Sequence, residues 1–509
     1  MINHKSIGIW ISLIAMLTFF GCGSDDVEGC NVRVDFDGST IRFCPSEGAS
    51  TTLDRPQDEF IWQAMNLFYF WQDEVGVLAD DRFSDFGELF SFLNQSSSSE
   101  NLFNNELLAP NDRFSAIFDD YIALENSFQG ISTSFGYDFG LLRESPGSTE
   151  VFGYVRYVVA EGPADRGGLK RGDLFTKVND IQLTESNFAE LLFNSSAYNL
   201  TLAKLDGENI VSTDVKIDLI AEEVNENPIF LSKIIDLGGT KVGYLVYNQF
   251  VNNNERHRQL NEAFLNFRTQ GISHLVLDLR YNPGGSVTTT RILSSLIYGA
   301  GSASENLGTI VYNQKLSETF NTPLRFRETL PIFDANNEEV SSEPLSRLSG
   351  LAQLFVLTSS RTASASELLI VGLDPYMDVT TIGTTTVGKN EGSLTLYDNK
   401  PGLFLDRDGD GLNQNHRYAI QPIVSKLANS EGFTDYEDGL APDILVDELD
   451  FLSDLKLLGD LEEPLLAEAL AVIQGTARSL PSNSVGVPID YKSRKQLILE
   501  KTIIEPQYL

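Results

Sequence analysis

Ser364 and Lys389 are the two residues of this 509-residue chain whose type and setting point most directly to chemistry. Ser364 sits in Arg361-Thr-Ala-Ser-Ala-Ser-Glu367, where an apolar run (353–359) gives way to a helical pattern (363–373). The first turn of a helix leaves backbone N–H groups without intrahelical partners. Donors so placed stabilise the oxyanion formed when a hydroxyl attacks a carbonyl. A second source of such donors is Arg280-Tyr-Asn-Pro-Gly-Gly285, a turn that follows the apolar run 275–279. Its paired glycines let backbone approach a ligand with no Cβ in the way. Both turns fall at the carboxyl ends of expected strands, where α/β proteins build sites.

A serine hydroxyl needs a base, and the four histidines offer none. His4 lies in the leader, His257 in a charged helical stretch and His274 just before a strand, while His416 has no triad-like setting. Lys389, in Val387-Gly-Lys389, follows the next strand and a Thr-rich turn. To act as a base it has to be neutral near pH 7, which requires its pKa to fall several units from about 10.4. Burial in an apolar pocket beside the serine would do this, and the pair would then form the dyad of a serine hydrolase.

The elements that must position these residues are those of an α/β core. Val242-Gly-Tyr-Leu-Val-Tyr247, Leu275-Val-Leu-Asp-Leu279, Leu354-Phe-Val-Leu-Thr358 and Val379-Thr-Thr-Ile-Gly383 read as buried parallel strands. Helical patterns alternate with them over 253–269, 287–296 and 363–373. Leu394-Thr-Leu-Tyr397, Leu403-Phe-Leu405 and 417–423 predict a following β layer, and 461–473 an amphipathic helix with a polar tail after it. Upstream, 54–128 has a helical texture dense in aromatics, with Asn111 or Asp112 capping a further helix that starts near Phe114. Residues 130–220 read as short alternating strands, many glycines and one short helix.

Composition narrows the function. A formal charge of −35 argues against nucleic-acid binding, which needs a basic face. The N-terminus reads as an export signal: His4 and Lys5, an apolar stretch from Ile7 to Phe20, then Gly21-Cys22. A small residue followed by Cys resembles a bacterial lipoprotein signal, which implies lipidation of Cys22. Phe19 stands where that pattern commonly has Leu. Ser24-Asp25-Asp26 resembles acidic tags that send some lipoproteins to the cell surface. Cys30 and Cys44 remain, an even pair that in an exported chain suggests a disulfide closing a small loop, with two unpaired thiols as the other reading. The spacer around them (22–52) holds one expected hairpin near Val32-Arg-Val-Asp-Phe36.

Gly162-Pro-Ala-Asp-Arg-Gly-Gly-Leu169 leading into Arg171-Gly-Asp-Leu-Phe-Thr-Lys-Val-Asn-Asp180 resembles a PDZ domain. The resemblance implies a groove that accepts an extended peptide by strand addition, with the loop before its first strand near Thr133 to Gly136. That segment, Leu277-Asp-Leu-Arg-Tyr-Asn-Pro-Gly-Gly285, Thr362-Ala-Ser-Ala-Ser-Glu367, Val387-Gly-Lys389 and Asp438-Gly-Leu-Ala-Pro-Asp443 together resemble the carboxy-terminal processing peptidases, relatives of the tricorn core protease. The resemblance implies Ser364 as nucleophile, Lys389 as general base, and backbone oxyanion donors at Gly284 or Gly285 and at Ala365. Many members carry a glutamine four residues after the lysine to orient its amine; Ser393 stands there in this chain.

The resulting expectation is a multidomain α+β protein: leader (1–21), spacer (22–52), helical N-terminal domain (53–129), PDZ-like domain (130–220), α/β ClpP/crotonase-like peptidase core (221–450) and C-terminal helix with tail (451–509). Its expected work is cleavage of unfolded or C-terminal segments of extracytoplasmic proteins. It would act without a cofactor, lipid-anchored to the bacterial cell envelope at the outer membrane. The alternative is a family member without strong activity that binds peptide or another ligand at the envelope. Asp406-Arg-Asp408-Gly-Asp410-Gly411 matches the opening of a calcium loop, but its twelfth position is Arg417. A plain acidic hairpin without metal is expected there, with calcium held by Asp406, Asp408 and Asp410 as the other reading.

Overall fold

The computed structural model describes residues 31–34, 40–43, 52–207, 209–334, 338–399, 404–407, 411–476, 485–489 and 502–508. Cys22, Cys30, Cys44, Asp408 and Asp410 lie outside them, so the expected leader, disulfide and acidic loop are not described; Asp406 is. The chain divides into two units: residues 1–54 with 83–96, and residues 55–82 with 97–509. The smaller unit contains the expected hairpin, Asn31–Val34 against Thr40–Phe43. Its helix Phe86–Leu93 is capped by Asp85, whose carboxylate accepts from the Glu88 N–H at 2.9 Å.

The larger unit is built on a six-stranded sheet in the order Ile229–Leu237, Thr240–Tyr247, His274–Asp278, Gln353–Thr358, Val379–Gly383, Ile444–Leu445. The first two strands form an antiparallel hairpin, and every later pairing is parallel. Alternate residues serve opposite faces. Leu275, Leu277, Leu354 and Val356 meet the helices Asn254–Gln270, Val287–Ile297 and Ala365–Leu373. Val276, Phe355 and Leu357 meet Leu465, Leu466 and Leu470 of the helix Pro464–Ile473. Both faces are covered, which is why these strands read as unbroken apolar runs. For the same reason the helix at 464–473 is buried around most of its circumference, and not amphipathic as expected.

A second six-stranded sheet runs Gly285–Ser286, Thr502–Ile503, Glu391–Ser393, Ile423–Asn429, Asn306–Tyr312, Thr322–Arg325. The expected polar tail therefore contributes a strand. Of the β layer expected after 394, Leu396–Tyr397 and Ala419–Gln421 do pair, while Phe404 and Leu405 lie in a turn. Residues 137–220 form a sheet in the order Asn209–Ile220, Ala197–Asp206, Leu174–Val178, Val151–Val158, Tyr137–Arg143, with Val487–Pro488 added on its outer edge, while Ile131–Ser134 pairs separately with Glu222–Asn225.

The helix expected to open at Asp112 is absent. Asp112 Oδ1 accepts from the N–H groups of Phe114 and Ser115, both at 2.8 Å, and the chain then enters the strand Ala116–Phe118. An aspartate satisfying the next two or three N–H groups makes a turn as readily as a helix cap, and pairing with Ala419–Gln421 decides between them. The helix follows later, at Tyr121–Phe128, with Asp120 as its cap.

Candidate active site

The strand His274–Asp278 delivers the chain into the turn that carries the paired glycines. Asn282 staples this turn. Its Nδ2 donates to the Tyr247 carbonyl at 2.7 Å, and its own carbonyl accepts from the Ala363 N–H at 3.2 Å and the Ser366 hydroxyl at 3.1 Å. Asn282 Oδ1 accepts from the Gly284 N–H at 2.9 Å. The Gly284 N–H, an expected oxyanion donor, is thus engaged within its own turn. Gly284 contributes space. At φ +109°, a Cβ there would come within 2.7 Å of the Ser364 Cβ and 2.8 Å of its Oγ. Gly285 follows at φ +131°, in the short strand Gly285–Ser286.

Ser364 ends the connection from the strand Gln353–Thr358 and caps the helix Ala365–Leu373. Its backbone, at φ 64° and ψ −115°, is in a region that non-glycine residues rarely enter, a conformation costing about 1–3 kcal/mol. The surroundings hold it there. The Ser364 N–H donates to Glu367 Oε2 at 2.7 Å, and its carbonyl accepts from the Leu368 N–H at 2.8 Å. Ala365, the first helical residue, lies where N–H groups have no intrahelical acceptor. Ser364, Ala365 and Ser366 are all fully buried.

The same glutamate holds the lysine loop. Glu367 Oε2 also accepts from the Lys389 N–H at 2.9 Å, and Oε1 accepts from the Gly388 N–H at 2.7 Å and from the Thr386 hydroxyl. One carboxylate thus gathers the main chain of Ser364 and of Lys389. Burial pushes its carboxyl above the usual carboxylate range, against the pull of those four donors. Val387 adds a backbone bond to the Thr362 carbonyl at 3.0 Å. Gly388, at φ +78°, passes so close to the Glu437 carbonyl that a Cβ would lie 2.2 Å from its oxygen.

Lys389 is completely buried, with its Nζ 5.1 Å from the centre of the Phe114 ring. Arg113 secures that wall by donating to the carbonyls of Gly388 (2.6 Å) and Glu437 (3.0 Å). Ser393 is buried in the strand Glu391–Ser393. Glu391, two residues beyond the lysine, has its carboxyl raised by burial against the pull of Lys389, Arg113 and Lys426.

Behind the glycine turn lies a dense ionic cluster. Arg280 is bidentate to Asp278 (2.9 and 2.8 Å) and reaches Glu463 at 2.8 Å and Glu448 at 3.1 Å. Arg171 reaches the same Glu448 at 2.6 Å and donates to the Tyr281 hydroxyl at 2.6 Å. Burial opposes the Glu448 charge, but Arg171 and Arg280 outweigh it and hold its carboxyl down at about 2. Two of the described histidines are engaged elsewhere. His257 bonds Thr289 at 2.9 Å and is lowered to about 3 by burial, and His416 bonds Asp398 at 2.7 Å. Among the described residues no group of three or more His, Cys, Asp or Glu is placed to hold a metal ion.

Glu367 and Asn282 were quoted in the sequence motifs without a role. The signal for the first was available: an acidic residue three after a capping serine is the capping-box spacing. For Asn282 only its place before Pro-Gly-Gly hinted at a turn.

Comparison with known proteins fits this geometry. Residues 241–446 match the model for peptidase family S41, residues 56–116 that for the peptidase S41 N-terminal domain, and residues 154–196 that for a PDZ domain. The two S41 models together take in more than half of the chain. The chain is 27% identical over 302 residues to "Carboxyl-terminal-processing peptidase 2, chloroplastic" of Arabidopsis thaliana, covering 57% of this chain and 50% of that protein. It is 25% identical over 277 residues to a "Probable CtpA-like serine protease" of Staphylococcus aureus, covering 52% and 48%. The chain thus spans about half the length of the curated relatives it matches. A Bacteroides fragilis structure assigned to the S41 proteases superposes with a TM-score of 0.62 at 24% identity, covering 82% of this chain and 98% of that one, a likeness of fold. The chain belongs to peptidase family S41, with a PDZ domain ahead of an S41 core.

Proposed function

We propose that the chain is a serine endopeptidase in which Ser364 attacks the peptide carbonyl and Lys389 serves as general base. The observation that carries this reading is the shared carboxylate oxygen: Glu367 Oε2 takes the main-chain N–H of both Ser364 and Lys389. Nucleophile and base are thereby held on two short loops by one acceptor. Complete burial of Lys389 beside Phe114 supplies the desolvation that a lysine base requires. The N–H groups of Ala365 and, once Thr502–Ile503 is displaced, of Gly285 are the proposed oxyanion donors, with Gly284 leaving room for the substrate carbonyl. Lys389 takes the serine proton, passes it to the leaving amine, and then activates the water that hydrolyses the acyl-enzyme.

Unfolded or C-terminal stretches of other proteins are the proposed substrates, taken up along the PDZ edge strand Tyr137–Arg143 by strand addition. Export and lipid anchoring at Cys22 complete the proposal. Among the described residues no helix is long and apolar enough to cross a membrane.

The test is incubation of the chain with an unfolded protein such as casein. Ser364→Ala and Lys389→Ala are each expected to lower cleavage by about a thousandfold or more. Undiminished cleavage by either variant overturns the dyad, and absence of cleavage by the wild type overturns the peptidase reading. A Cys22→Ala chain that still incorporates labelled fatty acid would refute the anchor.

A further inference from the structure

The segment formed by residues 485–489 and 502–508 occupies two places where an extended peptide would lie. The first is the PDZ edge. Val487–Pro488 pairs antiparallel with Tyr137–Arg143, in register Val487 to Arg143 and Pro488 to Leu142, and the Ile489 N–H donates to the Leu141 carbonyl at 3.1 Å. Ile489 packs on the cluster that includes Phe139, Phe188 and Leu192, the last two from the short helix Phe188–Phe193. An added strand against an edge strand, with a side chain between strand and helix, is how PDZ-type grooves hold ligands.

The second place is the catalytic region. Thr502–Ile503 inserts between Gly285–Ser286 and Glu391–Ser393, parallel to both, and the Ile504 N–H donates to the Ser393 carbonyl at 3.0 Å. One neighbour is thus the strand of the oxyanion glycine, and the other is the strand that follows Lys389. Side chains anchor the insertion. Glu505 is buried; it accepts from the Ser286 hydroxyl and from the Thr288 N–H at 3.3 Å, at the start of the helix Val287–Ile297. Burial pushes its carboxyl up to about 7. The Tyr508 hydroxyl accepts from Arg291 at 2.8 Å, and its carbonyl accepts from the hydroxyls of Tyr312 (3.2 Å) and Thr322 (3.0 Å). Beside residues 503–506 opens a cavity of about 880 Å³, also lined by Glu125, Phe250, Ser286 and Tyr397.

We propose that these two places are peptide-binding sites, the second selective for a segment whose glutamate is followed three residues later, across one 3₁₀ turn, by a tyrosine, and that residues 485–489 and 502–508 are their intramolecular occupants, competing there with substrate. This rests on the peptidase reading for what is competed with, but not for the binding. A tethered occupant acts at an effective concentration in the millimolar range, so a free peptide displaces it only when the tethered copy is weakened.

The test uses the full chain in four forms: Ser364→Ala alone, Ser364→Ala with Ile489→Asp and Glu505→Lys, and the two counterparts with Ser364 intact. A fluorescent peptide with the sequence of residues 485–508 is titrated into the two Ser364→Ala forms. Binding at least about tenfold tighter to the doubly weakened form is expected, with no binding of a scrambled peptide. Cleavage of casein by the weakened form with Ser364 intact is expected to exceed that of the wild type by about tenfold. Peptide binding to neither form, or equally to both, overturns the proposal. So does equal, measurable cleavage by the two Ser364 forms. If no form cleaves casein, the peptidase reading falls and the peptide titration alone decides the binding sites.

Discussion

Glu367, fully buried, and Glu448, mostly buried, are carboxylates that draw together stretches far apart in the chain, yet their surroundings differ in kind. Glu367 is held by three backbone N–H groups and one hydroxyl, and its carboxyl is raised. Glu448 is held by two guanidinium groups and the Tyr281 hydroxyl, and its carboxyl is lowered to about 2. Dipolar donors position a buried carboxylate but do not fully offset its desolvation, whereas two full charges do. The geometry each delivers also differs. Glu367 grips main chain on both loops, so it fixes where Ser364 and Lys389 start. Glu448 grips the ends of long side chains and links the PDZ residue Arg171 to Arg280, four residues before the glycine pair.

Glu448→Ala breaks the ionic side of this comparison most severely. It leaves Arg171 and Arg280 buried with less countercharge, and a loss of about 3–5 kcal/mol is expected in urea unfolding. A loss under about 1 kcal/mol would show that Asp278 and Glu463 suffice for both arginines.

Acid sharpens the contrast because the two glutamates respond with opposite sign. Glu448 has a depressed folded pKa, so its contribution is present above about pH 4.5 and is lost as pH falls toward about 2, a span worth about 3 kcal/mol. Glu367 has a raised folded pKa, so its contribution is fully present below about pH 4.5 and declines as pH rises through the folded value. Unfolding measured from pH 6 to pH 2 should therefore lose less stability in Glu448→Gln than in wild type. Equal slopes would remove Glu448 as the dominant acid-sensitive group of the pair.

Glu367→Gln is expected to cost about 2 kcal/mol, since an amide NH₂ meets N–H donors that a carboxylate oxygen accepted. Its telling readout is cleavage: a fall of about a hundredfold in kcat with KM little changed would mark a positioning residue. A fall proportional only to the unfolded fraction would reduce Glu367 to a structural cap. The smallest effect is expected at Ser393. Restoring an amide with Ser393→Gln should change kcat by about threefold at most, because the Glu367 grip and Phe114 already constrain Lys389. A gain above about thirtyfold would show that those constraints leave the amine loose.

Much of the core was legible because burial on both faces writes itself as long apolar runs. Residues 354–358 and 379–383 announce strands by composition alone, and the helix after Asn253 by its pattern. Asp112 misled because its local hydrogen bonds are common to a turn and a helix start. The segment near the end of the chain misled for the opposite reason. Its polar residues suggested a solvated tail, whereas Glu505 is buried against a hydroxyl and a helix N–H, and strand pairing is a property of backbone that composition does not record.

The candidate serine, lysine and glycine pair were read from residue types and their order, because each proposed chemical role demands a particular functional group. What tertiary structure alone decided is which donors are already engaged. Gly284 gives its N–H to Asn282, Glu367 joins the Ser364 and Lys389 loops, and residues 502–508 lie beside Gly285 and Ser393. Each of these is settled by a hydrogen bond whose partner only the folded chain selects, and most join segments tens to hundreds of residues apart.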